Sequence, residues 1–254
     1  MRRIAVLLLV AAVVAIVPAA LAQSTDVNVG WVYLSTPKAG MVKQLEDGRK
    51  KHMDFHRKQG DTWTWLIWEI MTGENTGSYY SSTFGHSWKD LDAWETKMGT
   101  ADTADGQTNL SPFVSSQTAS IWMVLKEPSH PGSMNELPKM SEINHFLLKP
   151  GTDSDFNDSI RKINAAIIKS EWPVRYTWYA LQDGGEGPHY VLALDLNGWG
   201  DLAEPNPSFD SMLEKAVGKH DATALTHAFD SCVKREWTET IRLRPDLSYM
   251  PAAK

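Results

Sequence analysis

The chain alternates between two hydrophobic rhythms. Short stretches with a two-residue period or near-continuous apolar character (WVYLST, TWTWLIWEI, SYYSSTF, SIWMVLK; then EINHFLLK, VRYTWYAL, HYVLALDL, WTETIRLR) predict strands. Between them lie stretches with helical period. One covers about residues 40–59 and another about 152–169, where Phe156, Ile160, Ile163 and Ile167 form an apolar stripe spaced 4, 3 and 4. SWKDLDAWETKM and SFDSMLEKAVG predict shorter helices, and a further one is expected near 221–234. Ser87 with Asp90 resembles a capping box. ADTADGQTNLSP and EPSHPGSMNELPKM are rich in Pro, Gly, Ser, Asn or Asp and are expected to be loop and linker.

The pattern occurs twice. Gly73, Tyr79, Trp88, Asp90 and Leu91 match Gly184, Tyr190, Trp199, Asp201 and Leu202, each at an offset of 111 residues. Lys38 and Gly40 match Lys149 and Gly151 at the same offset. A constant register without gaps indicates two copies of one unit. Residues 30–126 and 141–244 should then superpose, with Trp88 and Trp199 at the start of equivalent helices. Each unit reads β-α-β-β-α-β, the split arrangement of ferredoxin-like folds.

On this order of elements and this duplication, the chain resembles the dimeric α/β-barrel superfamily in its single-chain tandem form. The resemblance implies an α+β fold of two ferredoxin-like units packed sheet to sheet as a pseudo-dimeric α/β barrel, and the location of a pocket. It implies oxidative chemistry on a small, largely apolar molecule, with haem or without a cofactor, and a monomer or homodimer. The superfamily includes cofactor-free monooxygenases, haem-degrading oxygenases and chlorite-dismutase-like haem proteins. A non-catalytic small-molecule-binding or envelope-stress protein is the rival reading.

The N-terminus adds an address. Met1-Arg2-Arg3 precedes the apolar run Ile4 to Val17, and Ala20-Leu21-Ala22 offers small residues to a signal peptidase. The run is 14 residues long, short of the roughly 20 that span a bilayer, so an anchor is not expected. The expected division is therefore a signal peptide at 1–22, a first unit at 23–127, a linker at 128–140 and a second unit at 141–254. The expected product is exported, periplasmic or secreted. Net charge is −6 and becomes −8 once the two N-terminal arginines are removed, which disfavours nucleic-acid and anionic-membrane partners. Cys232 is the lone cysteine, so no internal disulfide can form, and 11 tryptophans must find burial or a pocket.

Candidate chemistry centres on KKHMDFH. His52 and His56 share one helix face, and the offset places them where the second copy has Ile163 and Ile167. Two readings stand. They are buried imidazoles satisfied by neighbours, or one copy has turned an aliphatic face into a polar pocket. A metal would need a third ligand, for which Glu69, matched by Ala180, is the expected residue. Trp65 is an aromatic within expected reach. Trp31 and Tyr33, with their counterparts Glu142 and Asn144, are expected to line the barrel interior as a small-molecule pocket. His145 is either a core histidine or a pocket wall. The expected ligand-binding set is thus His52, His56, Trp65, Glu69, Tyr33 and Asn144, and the catalytic residues stay open. Asp153-x-Asp155-x-Asn157 lacks the Gly and Glu of a calcium loop, and the glycines at 183–187 precede a strand and so suit a hairpin. No G-x-S-x-G occurs, and Cys232 fits a helix-packing role.

Overall fold

The computed structural model describes residues 28–132 and 137–251. The expected signal peptide at 1–22 and part of the expected linker lie outside the described residues. Among the described residues there are eight strands: β1 Val29–Pro37, β2 Leu66–Ile70, β3 Tyr79–His86, β4 Val114–His130, β5 Met140–Leu148, β6 Tyr176–Asp183, β7 His189–Leu196 and β8 Val233–Leu243. The α-helices are α1 Val42–Gln59, α2 Trp88–Trp94, α3 Thr100–Asn109, α4 Asp153–Lys169, α5 Phe209–Val217 and α6 Lys219–Cys232.

All eight strands form one closed barrel in the order β1-β3-β2-β8-β5-β7-β6-β4, with every pairing antiparallel. Within each half the order is the same: β4-β1-β3-β2, then β8-β5-β7-β6. The halves meet at their edges, where Trp68 faces Leu243 and Met123 faces Ala180. Closure leaves no strand edge open to further pairing.

The repeated residues have repeated jobs. The backbone N–H of Lys38 donates to Phe113, and that of Lys149 donates to Cys232, each at 2.8 Å. The side-chain Nζ of Lys38 reaches the Pro112 carbonyl and that of Lys149 the Ser231 carbonyl, each at 2.7 Å. Gly40 and Gly151 follow with φ of 74° and 82°, the left-handed turn that starts α1 and α4. The Tyr79 hydroxyl bonds Glu46 and the Tyr190 hydroxyl bonds Asn157, tying strand to helix in both halves. Trp88 opens α2 behind a Ser87–Asp90 capping box. Trp199 instead opens a single 3-10 turn, Trp199–Leu202, and the corresponding helix α5 starts later, after the Pro-rich insertion.

One stretch departs from expectation. ADTADGQTNL is not a loop: α2 runs through a π-helical turn, Glu95–Gly99, directly into α3. Its Thr and Asp content gives weak intrinsic propensity, and α3 is held by packing against α1. Gly48 makes that possible, since a Cβ there would lie 1.9 Å from the Asn109 carbonyl oxygen.

The strand alternation is as expected, but the faces are exchanged. Leu34, Leu66, Trp68, Ile70, Tyr80, Trp122, Ile143, Tyr179, Val191 and Ile241, drawn from all eight strands, pack together as the barrel's interior. Trp31 and Tyr33 sit on the opposite face, packed with Met53, Trp65, Trp94 and Met98 beneath the helices. Glu142 and Asn144 share strand parity with Phe146, which packs on α4. None of the four lines the interior. The narrow barrel takes the aliphatic face as its plug, and the aromatic and polar face is left to meet the helices. His145 does point inward, stacked on Trp237 at 4.7 Å, with Nε2 3.3 Å from the buried Glu239 that also accepts from Tyr80.

The two helix-facing layers differ in chemistry. The second is a continuous apolar core of Phe146, Phe156, Ile160, Ile167, Trp178, Met212 and Leu213. In the first, the same layer holds Arg49, His52, His56, Asp61 and Ser81 among its aromatics.

Candidate metal centre

Helix α1 presents Leu45, Arg49, His52, Met53 and His56 to the protein interior. It ends at Gly60, whose left-handed conformation lets its N–H cap the carbonyls of Arg57 and His56. The chain then turns so that Asp61 comes beneath the last turn of the helix. His56 is 1% exposed and His52 8%, with ring centroids 4.8 Å apart.

Each imidazole is anchored through its near nitrogen. His56 Nδ1 lies 2.9 Å from Asp61 Oδ2, and His52 Nδ1 lies 2.8 Å from Asp105 Oδ1. An Nδ1–H donated to a carboxylate leaves each Nε2 as a bare lone pair. Those two lone pairs point at one another across 3.4 Å, and Asp102 Oδ1 stands 3.4 Å from both. Asp102 Oδ1 is buried and has no hydrogen-bond partner. Burial pushes the Asp102 carboxyl up from its ordinary range, against the pull of both histidines, and burial pushes His52 down. With both Nδ1 atoms as the donors, the two Nε2 atoms and Asp102 Oδ1 converge as three acceptors. A cation at the centre removes that conflict.

The triangle has the size of a ligand set. In a tetrahedron the edge is about 1.63 times the centre-to-corner distance, so 3.4 Å edges place a central ion about 2.1 Å from each donor. That is the bond length of zinc to imidazole and carboxylate. Asp102, with 26% of its side chain exposed, is the ligand nearest to solvent. Asp61 is held in turn by the Trp63 N–H at 3.0 Å and by the indole N–H groups of Trp65 at 3.1 Å and Trp94 at 3.4 Å. Such carboxylate–histidine–metal chains orient and strengthen the ligands.

Aromatic side chains wall the site. His56 lies 5.4 Å from Trp65 and 6.0 Å from Tyr249, while Trp63 stacks on His86 at 3.6 Å and on Trp94 at 5.3 Å. Trp31 closes the group at 5.6 Å from Trp94, and Tyr33 at 6.4 Å from Trp65. Burial, with Asp102 and Glu95 nearby, pushes the Tyr33 hydroxyl up to about 12, so it remains a neutral O–H.

Of the residues expected from sequence, His52, His56, Trp65 and Tyr33 are brought together here. Glu69 is not in the group: its carboxylate pairs with Arg244 at 3.2 Å, in a cluster with Glu46 and Asp246. Asn144 lies on β5 in the other half, in register with Leu192 and Thr238. The third donor is Asp102, and the residues missed were Asp61, Asp102 and Asp105. Asp102-x-x-Asp105 has the spacing of one helix face, a signal hidden because the stretch reads as loop.

A groove of about 690 Å³ lies outside the barrel between α4 and α6 and has Asp, Ser, Lys, Ala, Leu and Val walls. The histidine pair is closed around Asp102. Among the described residues, no helix is long and apolar enough to cross a membrane.

No protein-family model and no curated protein matches this chain. Solved structures do. A candidate monooxygenase from Lactobacillus acidophilus NCFM aligns with a TM-score of 0.55 at 9% identity, covering 90% of this chain and 99% of that one. A candidate monooxygenase from Fusobacterium nucleatum subsp. nucleatum aligns at 0.54 and 12%, covering 86% and 93%. Chlorite dismutase from Candidatus Nitrospira defluvii aligns at 0.50 and 6%, covering 88% and 93%. At such identities the likeness is one of fold alone: these structures share this chain's mixed α+β architecture over nearly their whole length.

Proposed function

We propose that this protein is an exported metalloenzyme that carries out oxidative chemistry on a small, largely apolar molecule, using one divalent ion held by His52, His56 and Asp102. The observation that carries the reading is the convergence of three ligand atoms, His52 Nε2, His56 Nε2 and Asp102 Oδ1, at 3.4 Å from one another, with both imidazoles tied from behind by carboxylates. A bound ion of this kind supplies Lewis acidity, or redox chemistry if it is iron. The chain's own residues orient the ligands and surround the site with indole and phenol surface.

The oxidative assignment is supported by fold neighbours described as candidate monooxygenases. A second reading, a zinc-type hydrolytic or hydrating centre, is favoured by edges that suit a tetrahedron better than an octahedron. For bonds of about 2.1 Å, octahedral edges would be about 3.0 Å. Metal analysis of the purified protein, followed by anaerobic loading with ferrous iron or zinc, separates the two. Dioxygen uptake with iron alone supports oxidation. Failure to bind either ion defeats both.

The architecture in this proposal is a tandem pseudo-dimer: unit one at 23–127, unit two at 141–254, joined by 128–140. It is supported by the repeated strand order and by the paired roles of Lys38 with Lys149 and Tyr79 with Tyr190. Since one chain closes the barrel, a monomer suffices. Export follows cleavage before Gln23. The rival binder would use the same site without turnover.

A further inference from the structure

Arg49 is 2% exposed, on the inward face of α1 one turn before His52. Its Nη1 donates to Ser81 Oγ at 2.6 Å, and its guanidinium carbon lies 5.2 Å from the Tyr79 ring. Its Nε is buried with no hydrogen-bond partner. Among the described residues no carboxylate lies within ion-pair distance of it; Glu46, the carboxylate that acts on it through space, is turned to Arg244 at 2.6 Å. Burial holds the guanidinium down to about 10, which still leaves it charged at neutral pH.

A buried, unpaired cation costs several kcal/mol, and folded proteins keep one where something pairs with it. The second half has no such cost, because the offset of 111 puts Ile160 and Leu192 where Arg49 and Ser81 stand. The polar pair is therefore another feature in which the first half departs from its apolar sister, beside the histidines.

The position relates Arg49 to the metal centre. Ser81 on β3 is in register with Tyr33 on β1, and side chains of such cross-strand neighbours touch. Tyr33 in turn lies near enough to Asp102 for that carboxylate to act on its hydroxyl, and it flanks Trp65. Arg49, Ser81 and Tyr33 thus follow one another along the helix-facing side of the sheet, and Asp102 of α3 lies beyond Tyr33.

We infer that Arg49 and Ser81 form an anion subsite that receives the carboxylate of a small aromatic acid whose ring lies against Tyr33 and Trp65. The assignment of that acid as substrate rests on the metal-centre reading. The binding of the anion does not. Guanidinium recognises carboxylate through paired N–H donors, and Arg49 Nε supplies a free one.

Benzoate, its neutral isostere benzamide, and sulfate test this on the mature chain, both stripped with EDTA and loaded with zinc, by tryptophan fluorescence and thermal shift. Benzoate should quench fluorescence and raise Tm in both forms, and benzamide should bind about tenfold to a hundredfold more weakly. Arg49→Ile with Ser81→Leu copies the sister half. It should lose benzoate by a similar factor while still taking up zinc.

Equal binding of benzoate and benzamide overturns the inference without needing any variant. Undiminished benzoate binding by the folded double variant also overturns it. Sulfate binding without benzoate binding overturns the organic-acid assignment in favour of an inorganic anion. Zinc uptake without benzoate binding defeats the subsite and leaves the metal centre standing. Benzoate binding without zinc uptake supports the subsite and defeats the metal centre.

Discussion

Replacing His52 and His56 together by isoleucine gives the first half the residues its sister already uses at Ile163 and Ile167. Burying two aliphatic side chains contributes about 1.5–3 kcal/mol each. Against this stand the carboxylates that lose a partner, at about 1–3 kcal/mol for each one left unsatisfied. Asp61 keeps the Trp63 N–H and the Trp65 and Trp94 indole N–H groups. Asp102 and Asp105 retain 26% and 20% side-chain exposure and can take water. With the carboxylates so satisfied the aliphatic gain prevails, and the metal-free variant should melt at or above the parent. Zinc separates them. At a hundred times its dissociation constant an ion adds about 2.7 kcal/mol to the parent, or about 5–10 °C for a domain of this size, and nothing to the variant. Calorimetry with and without zinc reads both quantities. A variant that keeps the zinc shift refutes the site. One that unfolds before zinc is added shows the histidines to be structural members of the carboxylate network.

Asp105→Asn removes the carboxylate behind His52 and should weaken zinc by about 10–100-fold in a chelator competition. Gly48→Ala puts a methyl 1.9 Å from the Asn109 carbonyl oxygen, so α3 must move; expect about 1–3 kcal/mol lost in denaturant unfolding, with metal uptake falling alongside. Burial and neighbouring His145 hold His189 down at about 4, below the 6.5 of an unfolded histidine. The unfolded chain therefore binds the proton first, and stability must fall as pH drops from about 6.5 to about 4. That loss is at most about 3 kcal/mol before solvent screening. Asn or Gln at 189 should flatten this acid limb in paired unfolding curves at pH 7 and 4.5; an unchanged limb would exclude His189 as its source. N-terminal sequencing of exported protein should start at Gln23, and an intact Met1 would contradict export by cleavage.

Strands and main helices were legible in the chain because period and turn chemistry are local. Lys38 with Lys149 and Gly40 with Gly151 recur because each begins the same turn. The oddity of His52 and His56 was legible too, since the sister copy supplied a comparison within the same sequence. What locality could not supply was which strand face turns inward. Both faces of β1 carry bulky residues, and only closure of a narrow barrel decided that Leu34 goes inside and Trp31 and Tyr33 meet the helices. Nor could it supply the third donor. Asp102 sits in a stretch whose Thr, Asp and Gly content reads as loop, and it becomes helix through contact with α1 across Gly48. Glu69 was the reasonable expectation on strand-to-helix packing, but Arg244, 175 residues away in sequence, holds it. The chain by itself determined that the first half carries polar chemistry where the second is apolar. Which carboxylates face the histidines, and that Arg49 faces none, was decided by tertiary packing, because these pairings join elements whose spacing in sequence says nothing of their distance in space.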